Sequence, residues 1–89
     1  MSKTITKISQ IKGTFQAGED ILKIHPLENK NLDKIGFQSN EDNIIILNNQ
    51  EIQIGKTDRI EYDNLKLSSI ALKTDGYIII DYIYQIEKE

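Results

Sequence analysis

The sequence predicts an all-β fold: a small antiparallel β-sandwich, immunoglobulin-like or jelly-roll-like, of seven or eight short strands. Three observations carry that expectation. The first is residues 77–86, Tyr-Ile-Ile-Ile-Asp-Tyr-Ile-Tyr-Gln-Ile, the longest apolar stretch in the chain. Its β-branched and aromatic side chains lose rotamer freedom in a helix and pack well on a pleated surface. Its even positions (Ile78, Ile80, Tyr82, Tyr84, Ile86) are all apolar or aromatic, and its odd positions (Tyr77, Ile79, Asp81, Ile83, Gln85) are mixed. One wholly apolar face and one half-apolar face suit a strand at the centre of a sheet. The second is a hairpin signal, Ile44-Ile45-Ile46-Leu47, then Asn48-Asn49, then Gln50-Glu51-Ile52-Gln53-Ile54. The third is the recurrence of turn residues roughly every ten positions, with no segment sustaining a helical period.

Taken in order, residues 2–12 place Ile5, Ile8 and Ile11 three apart among Thr, Lys, Ser and Gln. Period three is neither a clean strand nor a convincing helix, and the β-branched Thr and Ile favour an extended form. Two forms fit: an extended arm lying on a neighbouring subunit, or an edge strand of the chain's own domain. The expected division is therefore residues 1–12 as arm or edge strand and residues 13–89 as the sandwich. Ala17-Gly18-Glu19-Asp20 is a turn signal. Residues 21–25 read as a strand stopped by Pro26, which cannot donate to a ladder. Residues 27–34 are polar and aperiodic and read as a loop, and Ile35-Gly36-Phe37 as a short strand. A two-residue turn needs φ > 0 at both positions, which Asn tolerates well. It pairs Leu47 with Gln50, Ile45 with Ile52 and Asn43 with Ile54, which lines one face with Ile45, Leu47, Ile52 and Ile54. Residues 59–62 alternate cleanly as a half-buried strand, and Asp63-Asn64 reads as a turn. Leu65, Leu67, Ile70 and Leu72 then lead to Thr74-Asp75-Gly76. A three-residue loop with Gly76 left-handed would pair Leu72 with Ile78, Ile70 with Ile80 and Ser68 with Tyr82, apolar against apolar. Residues 87–89 form a charged tail.

With 89 residues there is one core, and with no cysteine there is neither disulfide nor thiolate metal site to staple it. Small unstapled domains commonly gain stability from a partner. The net charge is −3 and the eleven Lys and Arg are scattered, so no basic footprint for nucleic acid or an anionic membrane is present. No apolar run reaches the ~18 residues of a membrane span, and the opening residues lack the apolar core of a secretory signal.

Chemistry is sparse. His25 is the only histidine and has no Cys or second His to work with. Carboxylates and amides at residues 41–43, Asp58, 63–64 and Asp75 could attract calcium, but lack the spacing of a calcium loop and are what turns use. Glu19 and Asp20 are adjacent and point apart on a strand. The five glycines are isolated, so no phosphate loop exists. Phe15, Phe37, Tyr62, Tyr77, Tyr82 and Tyr84 lie at apolar strand positions without basic interleaving, which points to core packing over base stacking. No catalytic or metal site and no cofactor are expected. The mixed face of residues 77–86 is the expected contact surface, through Tyr77, Ile79, Asp81 and Ile83 together with Ile5, Ile8 and Ile11; cover by the domain's own loops is the plainer reading.

Isoleucine is the commonest residue and valine is absent, a bias typical of A+T-rich genomes. The segments Ile35-Gly36-Phe37-Gln38, residues 46–62 and residues 78–84 resemble short β-sandwich modules encoded in the structural-gene regions of phages of low-GC bacteria. Asn49 and Asp58 stand where that pattern carries glycine. The resemblance implies a non-enzymatic virion protein: capsid decoration, head fibre, collar or tail-associated, assembled in the host cytoplasm. Its partners would be further copies of itself, other virion proteins (capsid, portal or tail), or both, with no nucleic acid and no membrane. A ligand-binding module, such as a carbohydrate-binding β-sandwich, is the alternative.

Overall fold

The computed structural model describes residues 3–88. Met1 and Ser2, which open the expected arm, and Glu89 of the expected charged tail lie outside them; Glu87 and Lys88 are not tail but the end of the last strand, paired with Thr4 and Lys3. The chain is a two-layer antiparallel β-sandwich of seven strands: β1 (Lys3–Phe15), β2 (Asn31–Ser39), β3 (Asn43–Leu47), β4 (Gln50–Ile54), β5 (Arg59–Lys66), β6 (Ile70–Leu72) and β7 (Gly76–Lys88). One sheet has the order β1-β7-β2-β5 and the other β4-β3-β6.

β7 is one of the two interior strands of the larger sheet, paired with β1 over its whole length and with β2 from Ile78 to Tyr84. Its even side chains are the core face. Ile78 and Ile80 are fully buried, and Tyr82 and Tyr84 nearly so. Burying one such isoleucine contributes about 1.5–3 kcal/mol. From the larger sheet Ile11, Phe15, Ile35 and Phe37 join them, and from the smaller sheet Ile45, Leu47, Ile54, Ile70 and Leu72.

The β3–β4 hairpin has every predicted pair, including Leu47↔Gln50, Ile45↔Ile52 and Asn43↔Ile54. Asn48 (φ 49°) and Asn49 (φ 67°) both take the left-handed conformation that this turn needs. Asn48 has a second task. Its Oδ1 accepts from the Ser68 N–H (2.7 Å), the Ser68 hydroxyl (2.9 Å) and the Ser69 N–H (3.2 Å), and its Nδ2 donates to the Lys66 carbonyl (2.9 Å). One turn residue thereby holds the segment that carries the chain from β5 in one sheet to β6 in the other.

Five further expectations are corrected. Residues 21–25 are not a strand: α1 (Ile21–Ile24) is a single helical turn, capped by Asp20, whose Oδ1 accepts from the Leu22 N–H at 3.1 Å. A cap residue directly before the apolar pair outweighs β propensity, and Ile21 is fully buried by it. Residues 31–34 are not loop but the first part of β2, made polar because that end of the strand shows its outer face to solvent. Asp63-Asn64 is not a turn; Asn64 is left-handed (φ 53°) inside β5. Gly76 is not left-handed; it starts β7 opposite Phe15, where a Cβ would stand 2.9 Å from Asn43 Nδ2. Finally, β6 and β7 do not form a hairpin. Leu72 pairs with Ile45 and Ile70 with Leu47, in the opposite layer from Ile78 and Ile80. Apolar matching could not tell the two arrangements apart, because the same faces meet laterally in a hairpin and face to face in a sandwich.

The period-three isoleucines belong to β1, which runs unbroken through Lys12 and Gly13 to Phe15 as an edge strand of the larger sheet. Strand alternation sends Ile5 and Ile11 to the core side and Ile8 to the outer side.

The two turn asparagines should respond oppositely to glycine. Asn49→Gly keeps the left-handed geometry and loses no hydrogen bond, so stability should change by less than about 0.5 kcal/mol. Asn48→Gly takes the acceptor from two backbone N–H groups that are only partly shielded from water and should cost roughly 0.5–1.5 kcal/mol. Urea midpoints of the two variants measured side by side check this.

Candidate functional site

The outer face of the four-stranded sheet is organised around an ion pair. Register places Gln10, Asp81, Gly36 and Glu61 in one row across β1, β7, β2 and β5, with Lys12, Ile79, Gln38 and Arg59 in the next. Arg59 reaches from β5 across β2 to β7. Its Nη1 donates to Asp81 Oδ2 at 2.8 Å and its Nη2 to Asp81 Oδ1 at 2.6 Å, a bidentate pair, while Nη2 also meets Glu61 Oε2 at 3.2 Å.

The crossing is possible because β2 presents Gly36 there. A Cβ on Gly36 would collide with the Arg59 guanidinium and stand 2.9 Å from Asp81 Oδ1. Arg59 and Asp81 are each about one-third exposed, at 35 % and 31 %. The hydrogen bonds from Arg59 hold the Asp81 carboxyl below the usual carboxylate range, against the opposing effect of burial. The same bonds push Arg59 further up, so it stays charged at every accessible pH.

Around this pair lie apolar side chains. Tyr77, Ile79 and Ile83 project from β7 and are half-buried. Ile8, directly opposite Ile83 on β1, is 78 % exposed. Of the expected contact residues, Ile8, Tyr77, Ile79, Asp81 and Ile83 thus share one surface. Ile11 does not, because it is packed in the core, and Ile5 is half-buried on the core side opposite Ile86. The pattern of β7 marked Asp81, but nothing marked Arg59 or Gly36 as its partners. Their meeting depends on the β2–β5 register, which no local turn specifies.

Several other polar groups serve the frame. Asp75 Oδ1 accepts from the Ala17 N–H at 2.7 Å, and Asp42 Oδ1 from the Lys56 N–H at 2.9 Å. Asn43 bridges its own strand to Thr74. The His25 ring meets Phe15 edge to face with centroids 5.9 Å apart. The Tyr84 hydroxyl is 2.9 Å from Glu28 Oε2. Among the described residues no three His, Asp or Glu side chains gather as a metal site, and no helix is long and apolar enough to cross a membrane.

Fold and site together define a class: a β-sandwich whose organised outward feature is a sheet face, with apolar groups set around a fixed ion pair. No protein-family model, curated protein or solved structure matches this chain.

Gly36→Ala should destabilise by roughly 1–3 kcal/mol, as overpacking does, and most of that cost should vanish in an Arg59→Ala background. A double-mutant cycle by chemical denaturation measures it, and equal costs in both backgrounds would refute the steric account. The ion pair also predicts a pH dependence. Asp81 is depressed in the folded state, so its contribution is complete above the unfolded carboxyl pKa of about 4 and is lost as pH falls through the lower folded value. The stability gap between the native chain and Asp81→Asn should therefore be constant near neutrality and shrink as pH is lowered toward 3. A series of unfolding midpoints across that range reads it.

Proposed function

We propose that this chain is a non-enzymatic structural protein of a phage virion, acting by protein–protein assembly through the outer face of its four-stranded sheet. The observation that carries the assembly reading is the grouping of Ile8, Tyr77, Ile79 and Ile83 around the Arg59–Asp81 pair. Aliphatic side chains, a tyrosine and a pre-oriented arginine are the chemistry of protein interfaces. Arg59 is already held by Asp81 and Glu61, so little side-chain freedom remains to be lost when a partner covers it. The virion setting rests on the resemblance of residues 35–38, 46–62 and 78–84 to phage structural modules. Capsid, portal and tail proteins are the partners this implies, beside further copies of the chain. The carbohydrate-binding alternative draws on fewer groups, since Tyr82 and Tyr84 are committed to the core and Tyr77 is left as the aromatic of the outer face.

The test is composition of particles. Virions purified from a phage encoding the chain should contain it at a fixed copy number by quantitative mass spectrometry. Ile79→Asp with Ile83→Asp should fold, since both sites are half-exposed, yet drop out of the particles at least tenfold. Particles that lack the native chain would refute the virion reading. Full incorporation of the double variant would move the contact to another surface.

A further inference from the structure

We infer that the free edge of β1 pairs with β1 of a second copy, antiparallel about a twofold axis at Ile8, joining two four-stranded sheets into one of eight. This deepens the assembly reading above and rests on it, by naming one partner and one surface.

β1 is a thirteen-residue edge strand whose register with β7 is unbroken from Lys3↔Lys88 to Phe15↔Gly76. It contains no proline and no bulge. Among the described residues its other edge has no ladder partner, since β1 pairs with β7 alone. Long flat edges template pairing with another chain and are ordinarily interrupted. The other three edges here are. β5 is broken by left-handed Asn64, β4 has five residues and β6 has three, so although β1 carries Lys3, Lys7 and Lys12 its backbone is the one edge without a break. β1 alone stays long and regular.

Its sequence is self-complementary in one register. A twofold axis perpendicular to the sheet requires one residue of β1 to face itself, with all partners on the same face. Centred on Ile8, Ile8 meets Ile8, Ile5 meets Ile11 twice, and Lys3, Lys7 and Lys12 meet Gly13, Ser9 and Thr4. Centring on Lys7 sets Lys7 against Lys7. Centring on Ser9 sets Lys7 against Ile11, and centring on Thr6 sets Lys7 against Ile5. Like charges directly opposite are destabilising, and matched apolar pairs favourable. The spacing of Ile5, Ile8 and Ile11, irregular for a strand buried on one face, is thus symmetric about a dyad. The exposure of Ile8, 78 %, is also explained, since the axis would cover it with its own copy. Such a pairing adds about ten backbone hydrogen bonds and makes the two outer faces, each with Ile83 beside Ile8, one continuous surface.

The test is solution mass by light scattering. The native chain at about 100 µM should read twice its 10.2 kDa. Ile8→Lys should return the mass to one chain, with the unfolding midpoint that the native chain shows when diluted to single chains. Because the chain has no cysteine, single cysteines map the register under mild oxidation. Ile8→Cys should trap a dimer. Thr6→Cys alone should not, whereas a mixture of Thr6→Cys and Gln10→Cys chains should cross-link. A native chain that stays single at that concentration overturns the inference, whether its edge stands free or is later found taken by an acidic strand of another protein. A dimer that Ile8→Lys leaves intact overturns it too. Failure here is separable from failure of the virion reading. A single-chain protein still incorporated into particles removes only the edge pairing, and a Ile8-dependent dimer absent from particles removes only the virion setting.

Discussion

Every pairing that joins β1 to the rest of the molecule passes through β7. That strand must bury one face completely and the other by half, and both requirements come from its place between β1 and β2. The inward row, Ile78 to Tyr84, supplies the floor on which the smaller sheet rests. The outward row supplies Asp81, to which Arg59 is tied across β2. A change in β7 therefore reaches the core and the candidate interface together. The outer face is best probed at Ile79, Ile83 and Ile8, whose side chains carry no core packing.

The two layers are stitched by polar side chains at the ends of strands. Among the described residues only β3 and β4 form a hairpin between consecutive strands; β2, β4, β5 and β6 are each followed by a strand of the other layer. Each such crossing exposes backbone groups that a ladder would otherwise satisfy. Asn48 satisfies those of residues 66–69, Asp75 that of Ala17, and Asn43 those near Thr74. Asp42, Asn43, Asn48 and Asp75 thus do structural work at the strand ends.

The outer face combines fixed and adaptable parts. Gly36 opens a channel through which the guanidinium passes, and the bidentate geometry then leaves Arg59 one orientation. The aliphatic groups around it are incompletely covered by the chain itself. Pre-organised charge beside exposed aliphatic surface is what a protein contact uses.

Local chemistry alone determined the β class, the Asn48-Asn49 hairpin with its full register, and the core face of β7. Each follows from period-two patterning or from a turn whose backbone conformation restricts its residues. Tertiary structure decided the rest. Burial of Ile21 in the core, with α1 against β6, selected the helical turn that Asp20 caps. Layer geometry sent β6 and β7 to opposite sheets, although their apolar residues match equally well side by side. The pairing of β1 with β7 turned Ile5 and Ile11 to the core side and left Ile8 outside, and the pairing of β2 with β5 brought Arg59 over Gly36 to Asp81. These outcomes turn on contacts between residues far apart in sequence, and a pattern read along one strand holds no information about which strand will lie beside it.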